Sequence, residues 1–117
     1  MSVRNNMVPI QLNEEVLQKA GLKHFRFLDA IAELPYVDAI YLFGSRARGD
    51  FWKNSDIDLA IKYSDDDEWH RKVVKVIIDE ISDTFLDIDL VDYNDDILNK
   101  EFKDIIDKQK VALYERI

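Results

Sequence analysis

Asp56 and Asp58 stand two residues apart in the run Ser55-Asp56-Ile57-Asp58-Leu59, a spacing that turns both carboxylates to one face of a strand. Paired in this way they are hard oxygen ligands suited to Mg²⁺, which binds through a few carboxylates plus substrate phosphates. Shortly before them, the apolar run ending in Leu42-Phe43 breaks into Gly44-Ser45-Arg46-Ala47-Arg48-Gly49. A Gly-Ser turn placed there can bring backbone N–H groups and a hydroxyl up to phosphate oxygens. A phosphate cradle next to a metal site points to chemistry on a nucleoside triphosphate. Ser55, just ahead of the acidic pair, is placed to cap or orient the turn into the strand.

A later stretch, Leu86-Asp87-Ile88-Asp89-Leu90-Val91-Asp92, repeats the alternation, with Asp87 and Asp89 on one face and Ile88 and Leu90 on the other. If the two strands pair, their carboxylates converge, which is unfavourable without a cation. On a half-exposed strand such pairs are also ordinary solvent faces. Arg46 and Arg48 carry fork-shaped donors for phosphate, or else are solvent-facing helix residues. Trp52 stacks on a base or covers a helix.

The elements that must position these groups follow from periodicity. Asn13 is a candidate N-cap for a helix running toward Leu34, with Gly21 splitting or kinking it and Pro35 ending it. Ala39 to Phe43 reads as a buried strand, and Gly44 to Arg48 as a short helical turn. Asp56 to Lys62 is a second strand. Ser64 and the acidic run Asp65 to Glu68 start a helix reaching about Ser82, with Trp69, Val73, Val76, Ile77 and Ile81 inward. Phe85 to Val91 is a third strand. Asn94 caps a helix carrying Ile97, Leu98, Phe102, Ile105 and Ile106 on its apolar face. Val111 to Tyr114 is a last short strand or a docking tail. The order implies one α/β domain over residues 12–117, with a small mixed sheet of about four strands flanked by helices and a loose tail over residues 1–11.

The 117 residues allow a single core. No apolar run approaches the ~20 residues of a membrane span, and the polar N-terminus does not read as a secretory signal. Zero cysteines fit a reducing compartment, so the expected home is the cytoplasm. A net charge of −8 argues against direct nucleic-acid binding, which needs a basic surface. It allows a Mg²⁺–nucleotide substrate and a basic protein partner. Gly44 and Gly49 have P-loop spacing, but Asp50-Phe51 stands where Lys and Ser or Thr are required. His24 and His70 are far from the acidic cluster in sequence, and no Ser-His-Asp or Cys-His arrangement is available.

The string from Phe43 to Leu59, with its Gly44-Ser45 turn and its Ser55-Asp56-x-Asp58-Leu59, resembles the signature of the DNA-polymerase-β-like nucleotidyltransferases, and in particular their smallest branch, the minimal nucleotidyltransferases (MNT). Ile88-Asp89-Leu90-Val91 matches that family's third acidic residue, with Asp87 as the rival one alternation earlier. The resemblance implies a polymerase-β-like core and catalysis by Asp56, Asp58 and Asp89 with two Mg²⁺ ions. It also implies triphosphate binding by Gly44, Ser45, Ser55 and Arg46 or Arg48, with ATP as substrate. Only about 25 residues follow the third strand, too few for another domain, so an acceptor presented by a partner is expected. MNT proteins are typically paired with a helical HEPN toxin, onto a tyrosine of which they transfer AMP, acting as antitoxin in a hetero-oligomer. The competing readings are a catalytically silent antitoxin that blocks its partner by contact, and a small-molecule nucleotidyltransferase.

Overall fold

A computed structural model of the chain describes residues 11–116. The tail expected over residues 1–11 lies, Gln11 apart, outside the described residues. The elements are α1 (Glu14–Lys19), α2 (Arg26–Ala32), β1 (Val37–Phe43), α3 (Gly44–Arg48), β2 (Ile57–Tyr63), α4 (Glu68–Ile81), β3 (Ile88–Asp92), α5 (Lys100–Gln109) and β4 (Val111–Glu115). The sheet order is β3-β2-β1-β4. Strand β1 runs antiparallel to β2 and β4, while β2 and β3 are parallel. A parallel pair needs a crossover, which α4 supplies. The mixed four-stranded sheet and the helical layers agree with the architecture expected from periodicity.

Alternation along β1 and β2 divides the core into two layers. Val37, Ile40, Leu42, Ile57, Leu59 and Ile61 meet the larger cluster formed with α1, α2 and α4. Ala39, Tyr41, Phe43 and Ala60 face the other way, against Ile106 of α5. Period-two geometry puts Asp58 on this second face, beside Phe43 and Ala60. The acidic pair therefore opens toward α5, the thinner side of the sheet.

The helical stretch expected from Asn13 to Leu34 is split at Gly21, one of the two outcomes expected of that glycine, into α1 and α2. Asn13 does cap α1, its side chain accepting from the Val16 N–H. Gly21, at φ +68°, ends that helix in a Schellman arrangement. Its N–H donates to Gln18, and Leu22 N–H donates to Leu17 at 2.9 Å. His24 then ties α1 to α2, with Nδ1 2.7 Å from Glu14 and Nε2 2.8 Å from Asp29. The two carboxylates raise its pKa, the Asp29 hydrogen bond most of all, against a smaller opposing effect of burial.

Three local expectations need correction. Asp67, not Ser64, caps α4, accepting from Trp69 N–H at 2.9 Å, while the Ser64 hydroxyl and N–H both donate to the Tyr36 carbonyl. The inward stripe of α4 is Val74 and Ile78, with Ile77 packed against it as expected and Val73 half-buried, while Trp69, Val76 and Ile81 are exposed. Arg71 fixes that rotation: it lies over the Tyr63 ring at 3.9 Å and bonds Asp65 and Asp92 at 2.9 and 3.0 Å. Asn99, not Asn94, caps α5. Asn94 is used as a strand substitute, donating to the Tyr63 carbonyl at 2.8 Å and accepting from its N–H at 2.9 Å. Phe85 lies before β3 and is fully exposed, and the last segment is a strand, β4.

Candidate active site

The parallel ladder between β2 and β3 begins at Ile57↔Ile88 and places Asp58 directly opposite Asp89. Asp56 and Asp87 precede that first rung; both are exposed, as is Asp89, while Asp58 is half-buried. The Asp87 carbonyl accepts the Ile57 N–H at 2.8 Å. Asp89, rather than Asp87, is thus the carboxylate beside Asp58. The two are close enough to hydrogen bond, which requires a shared proton or a cation. Burial first, then the Asp89 hydrogen bond and the charges of Asp89 and Asp56, push the Asp58 carboxyl up to about 6, with Arg48 opposing them.

Gly44 makes this pair reachable. Its φ is +73°, and a Cβ there would collide with the Asp58 carboxylate, coming within 2.9 Å of its Cγ. Only glycine lets the β1–α3 turn lie against that carboxylate. The Gly44 N–H donates to Gln109 Oε1 at 3.0 Å. Ser45 follows in the first turn of α3, half-buried. Around the pair opens a cleft of about 410 Å³, lined by Phe43, Gly44, Arg48, Asp58, Asp89, Val91, Phe102, Ile105 and Gln109. One wall is acidic, another is apolar, and Arg48 is the cation among the described lining residues. Arg48 is partly exposed and also pairs with Asp50 at 3.2 Å.

Two expected site residues sit elsewhere. Arg46 is 3% exposed, and its donors are taken by backbone carbonyls. It donates to Ala20 at 2.8 Å, to Lys53 at 3.1 Å and to Ser55 at 3.0 and 3.1 Å. Its guanidinium also lies 4.9 Å from the centre of the Phe51 ring, and burial lowers its pKa. Arg46 therefore pins the end of α1 to the loop that leads into β2, and is not among the residues that line the cleft. Ser55 belongs to the same knot: its Oγ accepts from Trp52 N–H at 2.7 Å. Trp52 itself is exposed.

Removing this knot is expected to cost stability rather than affinity. Arg46→Met leaves the Ala20, Lys53 and Ser55 carbonyls without their donor, and should lower unfolding free energy by about 3 kcal/mol or more. Arg46→Lys should recover little, because one ammonium cannot reproduce the fork. Urea denaturation measures the loss; an unchanged midpoint with weakened nucleotide binding would return Arg46 to the ligand set.

The residues fit a divalent cation through the Asp58–Asp89 pair, since Mg²⁺ needs only one or two protein carboxylates beside substrate oxygens. Among the described residues no group of three or more His, Cys, Asp or Glu is gathered closely enough to hold an ion unaided. Asp56 flanks the pair at the mouth of β2. Gln109 is the cleft residue that sequence reading missed. Its signal was a polar side chain ending an amphipathic helix just before the last strand.

Comparison with known proteins converges on one family. Residues 28–117 match the family described as polymerase beta, nucleotidyltransferase, and the chain belongs to that family. Among solved structures, a toxin–antitoxin complex with AMP-PNP is 27% identical, with a TM-score of 0.56 over 90% of this chain and 75% of that one. A mutant of the MntA-HpeT toxin–antitoxin is likewise 27% identical, with a TM-score of 0.54 over 91% of this chain and 75% of that one. A tri-AMPylated Shewanella oneidensis HEPN toxin in complex with MNT antitoxin shares the fold, at 22% identity and a TM-score of 0.52 over 86% and 73% of the two chains. No curated protein matches the sequence. Among the described residues no helix is long and apolar enough to cross a membrane.

Proposed function

We propose that this chain is a cytoplasmic Mg²⁺-dependent nucleotidyltransferase that moves AMP from ATP to a tyrosine hydroxyl of a HEPN toxin, and so acts as its antitoxin. The observation that carries the reading is the Asp58–Asp89 pair, set side by side across parallel strands under the Gly44 turn, in a chain of this family. The AMP-PNP complex and the AMPylated toxin among its structural neighbours support the choice of nucleotide and partner. Net charge −8 suits a basic partner.

Each residue then has a definable task. Asp58 and Asp89, with Asp56 beside them, would hold Mg²⁺, which when bound would supply positive charge to screen the triphosphate. Asp89 takes the acceptor hydroxyl proton. The acceptor oxygen forms its bond to the α-phosphorus as the α–β bridging bond breaks, and pyrophosphate leaves. Ser45 brings its hydroxyl to the phosphates at the turn that Gly44 makes possible, and Arg48 adds a fork-shaped cation.

A second reading, an antitoxin that only blocks its partner, is favoured by one feature: Asp56 stands outside the Asp58–Asp89 pair. Labelled ATP, Mg²⁺ and the product of the adjacent gene decide between them. Label on the partner that disappears with Asp56→Ala/Asp58→Ala establishes transfer. An unlabelled complex that still neutralises the partner establishes blocking.

A further inference from the structure

We infer that Gln109 is a further nucleotide-contacting residue, donating its side-chain NH₂ to the triphosphate while its Oε1 holds the Gly44 peptide. The inference rests on the nucleotidyltransferase reading and adds a residue that the motif does not contain. Gln109 ends α5, 65 positions beyond Gly44 in sequence, yet its Oε1 accepts the Gly44 N–H at 3.0 Å. A glutamine amide is easily assigned backwards. Here the assignment is fixed by chemistry, because a backbone N–H can only donate and so demands the oxygen. The NH₂ is then the end left for the cleft, which Gln109 lines together with Arg48, Asp58 and Asp89. No described group takes up that NH₂. A triphosphate brings many acceptor oxygens into a cleft whose described lining carries two carboxylates against one cation. A neutral double donor anchored at the Gly44 turn meets that need without adding a charge to be buried.

The discriminating variant is Gln109→Glu, whose carboxylate still accepts from Gly44 but offers oxygen where the NH₂ was. Calorimetry with Mg·ATP, and with Mg²⁺ and inorganic tripolyphosphate, measures the affinity. Repeating it at about 0.5 M salt screens general repulsion. The expected result is at least a tenfold weaker Kd for both ligands at high salt. Wild-type affinity at high salt would show that Gln109 only braces the turn, and would overturn the inference. A wild-type chain that binds neither ligand would instead remove the nucleotidyltransferase reading, and this inference with it.

Discussion

Asp58→Asn should abolish transfer and yet make the protein more stable at neutral pH. Transfer should fall by about 10³-fold or more, since the change removes a charge that neighbours both the cation and the reacting phosphate. The stability gain follows from the position of Asp58. Its carboxyl is drawn up to about 6 by burial, by the Asp89 hydrogen bond and by the Asp89 and Asp56 charges. A folded pKa above the unfolded value of 3.8 means that the folded state holds the proton more tightly. That contribution is complete below the unfolded pKa and is lost as pH rises through about 6. Asparagine keeps the shape, stays neutral at every pH and can donate to Asp89. Allowing for the solvent screening of a partly open site, the gain at pH 7.5 is about 1 kcal/mol, or about 4 °C in Tm. At pH 4 it should nearly vanish. Melting curves of both proteins at the two pH values test this. An equal difference at both would mean that the Asp58–Asp89 repulsion is not what the mutation relieves.

The same electrostatics predicts the effect of metal. Mg²⁺ binding only the folded state stabilises it by mass action. The wild-type chain should therefore gain Tm on titration with Mg²⁺, and Asp58→Asn should gain little. Activity and stability pull in opposite directions at this one carboxylate, as is common where a site must hold like charges together.

The site could be read from the sequence to the extent that it is local. Alternation alone sets Asp56 and Asp58 on one face, and the break after Phe43 marks the turn at Gly44. The choice between Asp87 and Asp89 is not local. Both face the same way, and only the β2–β3 register, opening at Ile57↔Ile88, selects Asp89. Arg46 was illegible for a related reason. Its carbonyl partners come from Ala20, Lys53 and Ser55, and no spacing on α3 announces that backbone carbonyls from α1 and from the loop before β2 will converge on one guanidinium. Asn94 and Asn99 are both good caps by type. Tertiary need assigned Asn94 to the Tyr63 backbone and left α5 to start at the later one. Gln109 likewise gains its meaning only when the end of α5 is brought to Gly44.

Gly44→Ala is expected to be the most damaging alanine substitution among Gly21, Gly44 and Gly49. The residue sits at φ +73°, where an L side chain costs about 1–2 kcal/mol. The added methyl would also meet the Asp58 carboxylate, which has no easy retreat. Asp58 is clamped in two ladders at once, opposite Phe43 on β1 and Asp89 on β3, so its side chain must turn away from Asp89. Misplacing a reacting group by about 1 Å can cost 10²-fold. The variant should therefore lose about 2–3 kcal/mol of stability and about 10²-fold in transfer. Gly49→Ala supplies the control. Its φ of +96° is equally strained, but nothing lies within 4 Å of the new methyl. It should lose about 1 kcal/mol and keep its transfer rate. If the two variants lose transfer equally, backbone strain alone accounts for the turn. If only Gly44→Ala does, the close approach of backbone to carboxylate is what the glycine is there to permit.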